Sequence, residues 1–319
     1  MKAAIHSRYG PPSVVTIGEV ARPEPAPDEI LVNVKATTVN RTDSGYRAAS
    51  PFLTRFFTGL TGPRQPILGT EYAGEVVEAG ADVTRFAVGD RVFGYNEGPF
   101  GTHAEYLAVA QDASVAAIPD GVGYEQAAPG TEGAHYAYLY LKKAEVGVGS
   151  DVLVYGASGA IGTAAVQLAK ARGANVTAVC GTDHVDLVSG LGADRVVDYQ
   201  TSDFTDDDQR YDFVFDAVGK VTYRLCQPLI KPGGRFAATE MGPYAQNFWL
   251  VILTRWSKKG RAIFAFPHHN QRMIERFATL MENGHFRPVV DRSYPLDRIV
   301  EAYEYVETGQ KVGNVVITV

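Results

Sequence analysis

Residues Asp151 to Arg172 read DVLVYGASGAIGTAAVQLAKAR, and their order decides the fold class. Val152 to Tyr155 form a short apolar run of the kind that becomes a strand buried on both faces. The run enters Gly156, Ala157, Ser158, Gly159, Ala160, Ile161 and Gly162, and a helical pattern continues from Thr163 to Arg172. Glycines at 156, 159 and 162 let the backbone turn tightly, approach a pyrophosphate and pack helix on strand. The helix N-terminus then offers free N–H groups and a partial positive charge to phosphates. A glycine triplet alone is weak evidence; its strand–turn–helix context marks a dinucleotide site. Gly156, Ser158, Gly159, Ala160, Ile161 and Gly162 are its candidate cofactor contacts. The competing reading is a glycine turn that only closes a βαβ unit.

Downstream, Asn175–Cys180, Arg195–Asp198, Phe213–Asp216 and Arg235–Thr239 read as further strands with helical stretches between them. Such alternation indicates an α/β domain with a doubly wound parallel sheet. Upstream of about residue 118 the chain is rich in Val, Thr, Gly and Pro. Ile30–Ala36, Gly74–Ala79 and Arg91–Gly94 read as strands there. The tail adds helical stretches at Met273–Asn283 and Leu296–Glu307, then a strand at Asn314–Val319. The expectation is a Rossmann domain over residues 119–267, inserted into a β-rich domain of residues 1–118 that is completed by 268–319.

The end of the second Rossmann strand bears on the cofactor. An NAD site usually has Asp or Glu there for the ribose hydroxyls. Ala178 to Gly181 contain no acid, and Thr182 could hydrogen-bond a 2′-phosphate with Lys170 and Arg172 nearby in sequence. Asp183 would oppose that phosphate if it pointed inward, but it equally suits the start of a helix. The reading favours NADPH over NADH.

The 319 residues are 45% apolar and 21% charged, which is ordinary for globular domains. A net charge of -6 argues against nucleic acid. Two cysteines are too few for a disulfide scaffold and fit a reducing compartment. The opening MKAAIHSRYG has no apolar run like a secretory signal, so a cytoplasmic protein is expected. The longest apolar run, Phe248–Leu253, is far too short for membrane insertion.

Several further stretches carry a family resemblance across nearly the whole chain. They are VNRTD at Val39–Asp43, PILGTEYAGEV at Pro66–Val76, VGDRVFG at Val88–Gly94, LGADRVVDY at Leu191–Tyr199, VFDAVG at Val214–Gly219, KPGGR at Lys231–Arg235 and KVGNVVI at Lys311–Ile317. With the glycine turn, they resemble the medium-chain dehydrogenase/reductase superfamily, in its zinc-independent quinone oxidoreductase (zeta-crystallin-like) branch. The resemblance implies that the β-rich part is GroES-like. It also implies Tyr199 against the adenosine, Gly219 and Gly242 near the ribose, and Phe266 beside the nicotinamide. Lys311 and Asn314 fall in a C-terminal cofactor-contact segment.

Departures from the family bear on the chemistry. Zinc-dependent members carry Cys at Asn40 and His at Thr70, and a third ligand near Gly130 is missing too. The structural zinc lobe needs four cysteines, and Asn96–His103 holds none. Glu71 alone cannot bind zinc, and His103, His135, His268 and His269 are scattered, so no metal is expected. Relatives usually have a Thr-Ala pair near Tyr136 and Ala137, where this chain has TEGAHYAY. The resemblance implies that Asn40 and Asp43 lie in the interdomain cleft beside the nicotinamide. Asn40 could donate to a developing oxyanion, or serve only as a turn residue. Asp43 suits a structural role better, and Tyr46 could protonate an enolate or merely pack.

The function implied is reduction of quinones or α,β-unsaturated carbonyls, with a small hydrophobic carbonyl or quinone as substrate. The alternatives are a zinc-free alcohol or aldehyde dehydrogenase and a non-catalytic dinucleotide-binding protein. Asn247–Trp256 and Ala262–Phe266 (the expected sixth strand) are strongly apolar. This predicts a homodimer through that sheet edge, or else an apolar lip for substrate.

Overall fold

The computed structural model of the chain describes residues 1–242, 245–265 and 268–319, apart from the side chain of Leu53. They form two compact units: Met1–Glu132 with His269–Asn283 and Pro288–Val319, and Gly133–His268 with Gly284–Arg287. The division falls at Glu132 rather than near residue 118, where the composition changes. Residues up to 132 stay with the first unit because Thr131 and the Glu132 backbone are hydrogen-bonded to Glu71.

The first unit begins with strands β1 (Lys2–Ile5), β2 (Thr16–Glu19), β3 (Glu29–Val39), β4 (Glu71–Ala79), β5 (Arg91–Tyr95), β6 (Tyr106–Ala110) and β7 (Val115–Ala117). Short helices α1 (Arg41–Ala48), α2 (Arg55–Thr58) and α3 (Tyr124–Ala127) join them. The chain passes through α4 (Glu132–Lys143) into the second unit. There it forms β8 (Asp151–Tyr155), α5 (Ala160–Lys170), β9 (Asn175–Cys180), α6 (Val185–Gly190) and β10 (Arg195–Asp198). It continues with β11 (Tyr211–Asp216), α7 (Tyr223–Cys226), β12 (Ile230–Ala238), α8 (Gln246–Leu253) and β13 (Arg261–Ala262). It returns to the first unit with α9 (Gln271–Glu282), β14 (Val290–Pro295), α10 (Ile299–Glu307) and β15 (Asn314–Thr318).

In the first unit the sheet order is β14-β15-β3-β4-β5-β7, with β6 paired to β3. Only β14 and β15 run parallel. Ile30, Val32 and Val34 alternate along β3, so they share one face and pack with Tyr72, Val76, Val92 and Leu107.

The second unit is a parallel sheet of order β10-β9-β8-β11-β12-β13. The order reverses between β8 and β11, which opens a crevice at the carboxyl ends of the strands. Strands β8, β9 and β10 fall on the apolar runs read from the sequence. The expected sixth strand is cut short, since β13 pairs only Arg261 and Ala262 with β12, and Phe266 lies outside the described residues. Both cysteines are free and buried in this unit. Burial pushes the Cys180 thiol up to about 11 and the Cys226 thiol up to about 12, and neighbouring Asp198 and Asp216 add to the effect.

Candidate functional site

In the second unit the glycine turn is built as the sequence suggests, but its three glycines do different work. Gly156 has φ +76°, a left-handed conformation that favours glycine. Its N–H and that of Ala157 both donate to the Val179 carbonyl, at 3.1 and 3.0 Å, which ties the turn to β9. At Gly162 a Cβ would stand 2.1 Å from the Gly156 carbonyl oxygen, so helix and turn touch more closely than any side chain permits. Gly159 is the N-cap of α5, with φ -78°. A Cβ there would meet nothing closer than 3.7 Å, so the fold does not need this glycine. No side chain caps α5. The N–H groups of Ala160, Ile161 and Gly162 therefore lack intrahelical acceptors, an arrangement that suits an anion, and Ser158 precedes them in the turn.

The other cofactor candidates of this unit gather at the same edge of the sheet. Asp216 closes β11: its buried carboxylate accepts from the N–H groups of Val218, Gly219 and Val221 at 3.0, 2.8 and 2.8 Å. Gly219 and Gly242 both take φ +70°, just past β11 and β12. Tyr199 follows β10, and its hydroxyl would lie 3.2 Å from a Cβ on Gly181, so the phenol covers the end of β9. The Thr182 hydroxyl sits 2.6 Å from an Asp198 carboxylate oxygen and 2.7 Å from the Gln200 amide oxygen.

Lys170 and Arg172 do not join this group. The Lys170 ammonium donates to Asp194 at 2.8 Å and to the Ala174 carbonyl at 3.0 Å. Arg172 lies over the Tyr138 ring. Both residues precede β9, whose six residues at about 3.3 Å each put them roughly 20 Å from Gly181. Closeness in sequence was misleading because a whole strand intervenes.

In the first unit Asn40 ends β3 and caps α1. Its side-chain oxygen accepts from the Asp43 N–H at 2.8 Å, and Asp43 accepts from the Asn40 N–H at 3.1 Å, completing a capping box. The Asn40 amide also donates to the Thr70 hydroxyl at 2.9 Å. Asp43 is fully buried, and burial raises its pKa well above the usual carboxylate range, with Glu71 and Glu97 adding repulsion. His103 donates to the Thr38 carbonyl at 2.8 Å and lies 3.9 Å from Asp43. Burial pushes its pKa down to about 4, so the imidazole is neutral at pH 7.

Glu71, on β4, is the centre of a network. One oxygen accepts from the Thr38 hydroxyl at 2.7 Å. The other accepts from the Thr131 hydroxyl and N–H at 2.7 and 3.2 Å, and from the Glu132 N–H at 2.6 Å. The Thr42 hydroxyl, on α1, donates to the Glu132 carboxyl. Burial and the neighbouring Glu71 hold Glu132 well above the usual range, and the Thr42 hydrogen bond and, less so, Lys311 only partly offset them. Lys311 itself donates to the Gly313 carbonyl at 2.6 Å, and Asn314 donates to the Val289 carbonyl at 3.0 Å. These two therefore build the turn before β15. Sequence reading missed Thr42, Glu97 and Glu132; the available signal was an acid in the apolar stretch 127–141.

Tyr46, on α1, packs edge-on against Phe100 with ring centroids 4.7 Å apart. Its hydroxyl donates to Glu97 at 3.1 Å, and Tyr95 donates to the other Glu97 oxygen at 3.1 Å. Burial and that carboxylate raise the Tyr46 pKa, so the phenol is a poorer acid than a free tyrosine. Tyr46, Phe57, Leu68 and Phe100 line a cavity of about 250 Å³ within this unit.

The positions that hold zinc ligands in zinc-dependent relatives do come together, since Asn40 and Thr70 are bonded to each other. An amide and a hydroxyl are not the thiolate and imidazole that a tetrahedral zinc requires. Both Glu71 oxygens already have donors. This donor set does not fit zinc.

Residues 26–146 match the family described as Alcohol dehydrogenase GroES-like domain, and residues 191–317 the one described as Zinc-binding dehydrogenase. The chain is 30% identical to the chloroplastic NADPH-dependent alkenal/one oxidoreductase of Arabidopsis thaliana, over 99% of this chain and 79% of that one. It is 31% identical to the chloroplastic quinone-oxidoreductase homolog of Spinacia oleracea, over 94% of this chain and 92% of that one. The solved quinone oxidoreductase from Coxiella burnetii matches with a TM-score of 0.88 at 27% identity, over 100% of this chain and 99% of that one. A doubly wound sheet with an uncapped glycine turn, in one chain with a GroES-like unit, makes this protein an oxidoreductase. It belongs to the medium-chain dehydrogenase/reductase superfamily, in its quinone oxidoreductase branch.

Proposed function

We propose that the chain is a zinc-free, NADPH-dependent reductase of quinones or α,β-unsaturated carbonyls. The observation that carries this reading is the Asn40–Thr70 hydrogen bond, which occupies the point where zinc-dependent relatives place a Lewis acid. Without that ion a simple alcohol loses the stabilisation of its alkoxide. An acceptor that is already electrophilic needs only to be oriented and polarised. A nicotinamide cofactor, when bound, would supply the hydride.

Ser158 to Gly162, at the N-terminus of α5, would hold the phosphates of the dinucleotide. Asn40 gives one amide hydrogen to Thr70 and keeps a second for the substrate oxygen. Asp43 positions Asn40, and Tyr46 walls the cavity that takes the hydrophobic part of the substrate. Burial favours the protonated form of Glu132, which would serve as the proton source by passing its proton to the partly exposed Thr42 hydroxyl once that hydroxyl turns from donating to accepting. NADPH is supported by the missing acid at the end of β9 and by the name of the Arabidopsis relative. Asp183 and the Thr182–Asp198 contact oppose it, so comparing kcat/KM for NADPH and NADH decides the preference. A homodimer through the edge at β13 belongs to the same reading, and a light-scattering mass near 34.5 kDa would remove it.

The test follows NADPH absorbance against quinones, enones and aldehydes, with and without prolonged chelation. Quinones and enones should be turned over and chelation should change nothing; stoichiometric zinc lost together with activity would overturn the metal-free reading. A non-catalytic binder would bind NADPH and turn over none of the panel. A protonated Glu132 is the active form, so kcat should fall as pH rises through its elevated pKa. Glu132→Gln should lower kcat at least roughly tenfold and abolish that alkaline limb. An unchanged pH profile would place the proton source elsewhere.

A further inference from the structure

The cavity of the first unit has an apolar interior and a charged rim. Leu68 and Phe100 line it as buried residues, whereas Phe57, 81% exposed, and the exposed Arg64 line it at its mouth. Between Asp43 and Glu71 the chain has three arginines and no acid. Arg47 is buried and engaged with the Gly10 carbonyl and Glu307. Arg55 lies over the rings of Tyr9 and Phe52, at 4.9 and 5.3 Å. Arg64 differs from both, because its guanidinium has no carboxylate or other acceptor among the described residues. The backbone nevertheless fixes its place. The Arg64 N–H donates to the Thr58 carbonyl at 2.8 Å, closing a loop that needs Gly59 at φ +127°. A Cβ on Gly59 would stand 2.0 Å from the Gly62 carbonyl oxygen and 3.3 Å from the Arg64 Cγ, so the arginine stem lies against the turn. The Tyr9 hydroxyl donates to the Gly59 carbonyl at 2.8 Å and ties the loop down. Gln65, next in the chain, also lines the cavity. Among the described residues no acid lines it, and the nearby Glu97 is taken by Tyr46 and Tyr95.

We propose that the substrate of this cavity carries a carboxylate, which Arg64 binds while the apolar interior holds the rest of the molecule. The inference rests on the reductase reading and narrows its substrate class. An exposed arginine by itself is only a solvated charge. Here it stands on a built turn at the mouth of an apolar cavity, and small-molecule sites are mostly apolar with a few polar groups that fix orientation. The guanidinium is planar, always charged, and meets a carboxylate with two parallel N–H donors. A neutral enone or quinone would leave that charge unused. An enone with an apolar body and a carboxylate at the end remote from its double bond meets both features.

The full-length enzyme is assayed with NADPH on benzylideneacetone bearing a para-carboxylate or, as a neutral match in size, a para-carboxamide. kcat/KM for the acid should exceed that for the amide at least roughly tenfold, the worth of one hydrogen bond between charged groups. The difference should lie in KM and shrink as salt rises. Arg64→Met should erase the preference, and Arg64→Lys should restore part of it. Arg64 is exposed, so both variants should fold as the natural chain does, which circular dichroism checks. Turnover of both compounds with equal kcat/KM, or a preference that survives Arg64→Met, would overturn the proposal and leave the reductase reading standing. So would a raised KM for NADPH in Arg64→Met, which would assign the guanidinium to the cofactor. No turnover of either compound, or of any neutral quinone or enone, would overturn both.

Discussion

The glycine turn of the second unit and the entry to α1 in the first hold candidate functional residues by opposite means. At the turn the working groups are backbone N–H groups, and the side chains matter by their absence. At α1 the working groups are side chains, and each is already engaged: Asn40 with Asp43 and Thr70, Tyr46 with Glu97, Glu71 with four donors. A backbone site announces itself in sequence because only glycine satisfies it. A side-chain site does not, because Asn, Asp and Tyr serve scaffold and chemistry equally well, and their partners decide which.

The sharpest break in this comparison comes from two glycines three residues apart. Gly162→Val would force a side chain into the Gly156 carbonyl. It should cost more than about 3 kcal/mol or prevent folding of the second unit, as thermal unfolding would show. Gly159→Val has room for its Cβ, so stability should change by less than about 1 kcal/mol while cofactor affinity falls at least tenfold by titration. Equal losses in both variants would mean that the turn is scaffold throughout.

Asn40 tests the other half. Asn40→Ala removes the cap and leaves Thr70 without its donor, a loss of about 2 kcal/mol by urea unfolding. Asn40→Ser restores the cap but not the amide. Its stability should recover while kcat stays low, and recovery of both would reduce Asn40 to a cap. The smallest effect is expected for Tyr46→Phe. It removes one hydrogen bond to Glu97, worth about 1 kcal/mol, and should leave kcat within roughly twofold. A large fall in kcat would return Tyr46 to the chemistry.

What the sequence reveals follows the same divide. Strands β8 and β9 are short apolar runs buried on both faces, so their limits are visible in the chain itself. The sixth strand is not, because AIFAF is apolar beyond the two residues that pair. Lys170 looked close to the ribose end of β9, yet its partner Asp194 holds it at the opposite end. Thr70 lies 30 residues from Asn40, and Glu132 lies 90 residues from Thr42. No local pattern could have paired them. Glu71 was visible, but only as a lone metal ligand; its actual role depends on three segments that meet only in the folded chain.

The two buried cysteines have a consequence for an enzyme with the proposed substrates. Quinones and enones are alkylating agents, and the thiolate is the group they attack first. Cys180 and Cys226 are shielded from contact, and with thiols pushed up to about 11 and about 12 they hold almost no thiolate at neutral pH. Such a protein can meet a stream of electrophiles at each turnover and escape self-inactivation, for as long as the second unit stays folded.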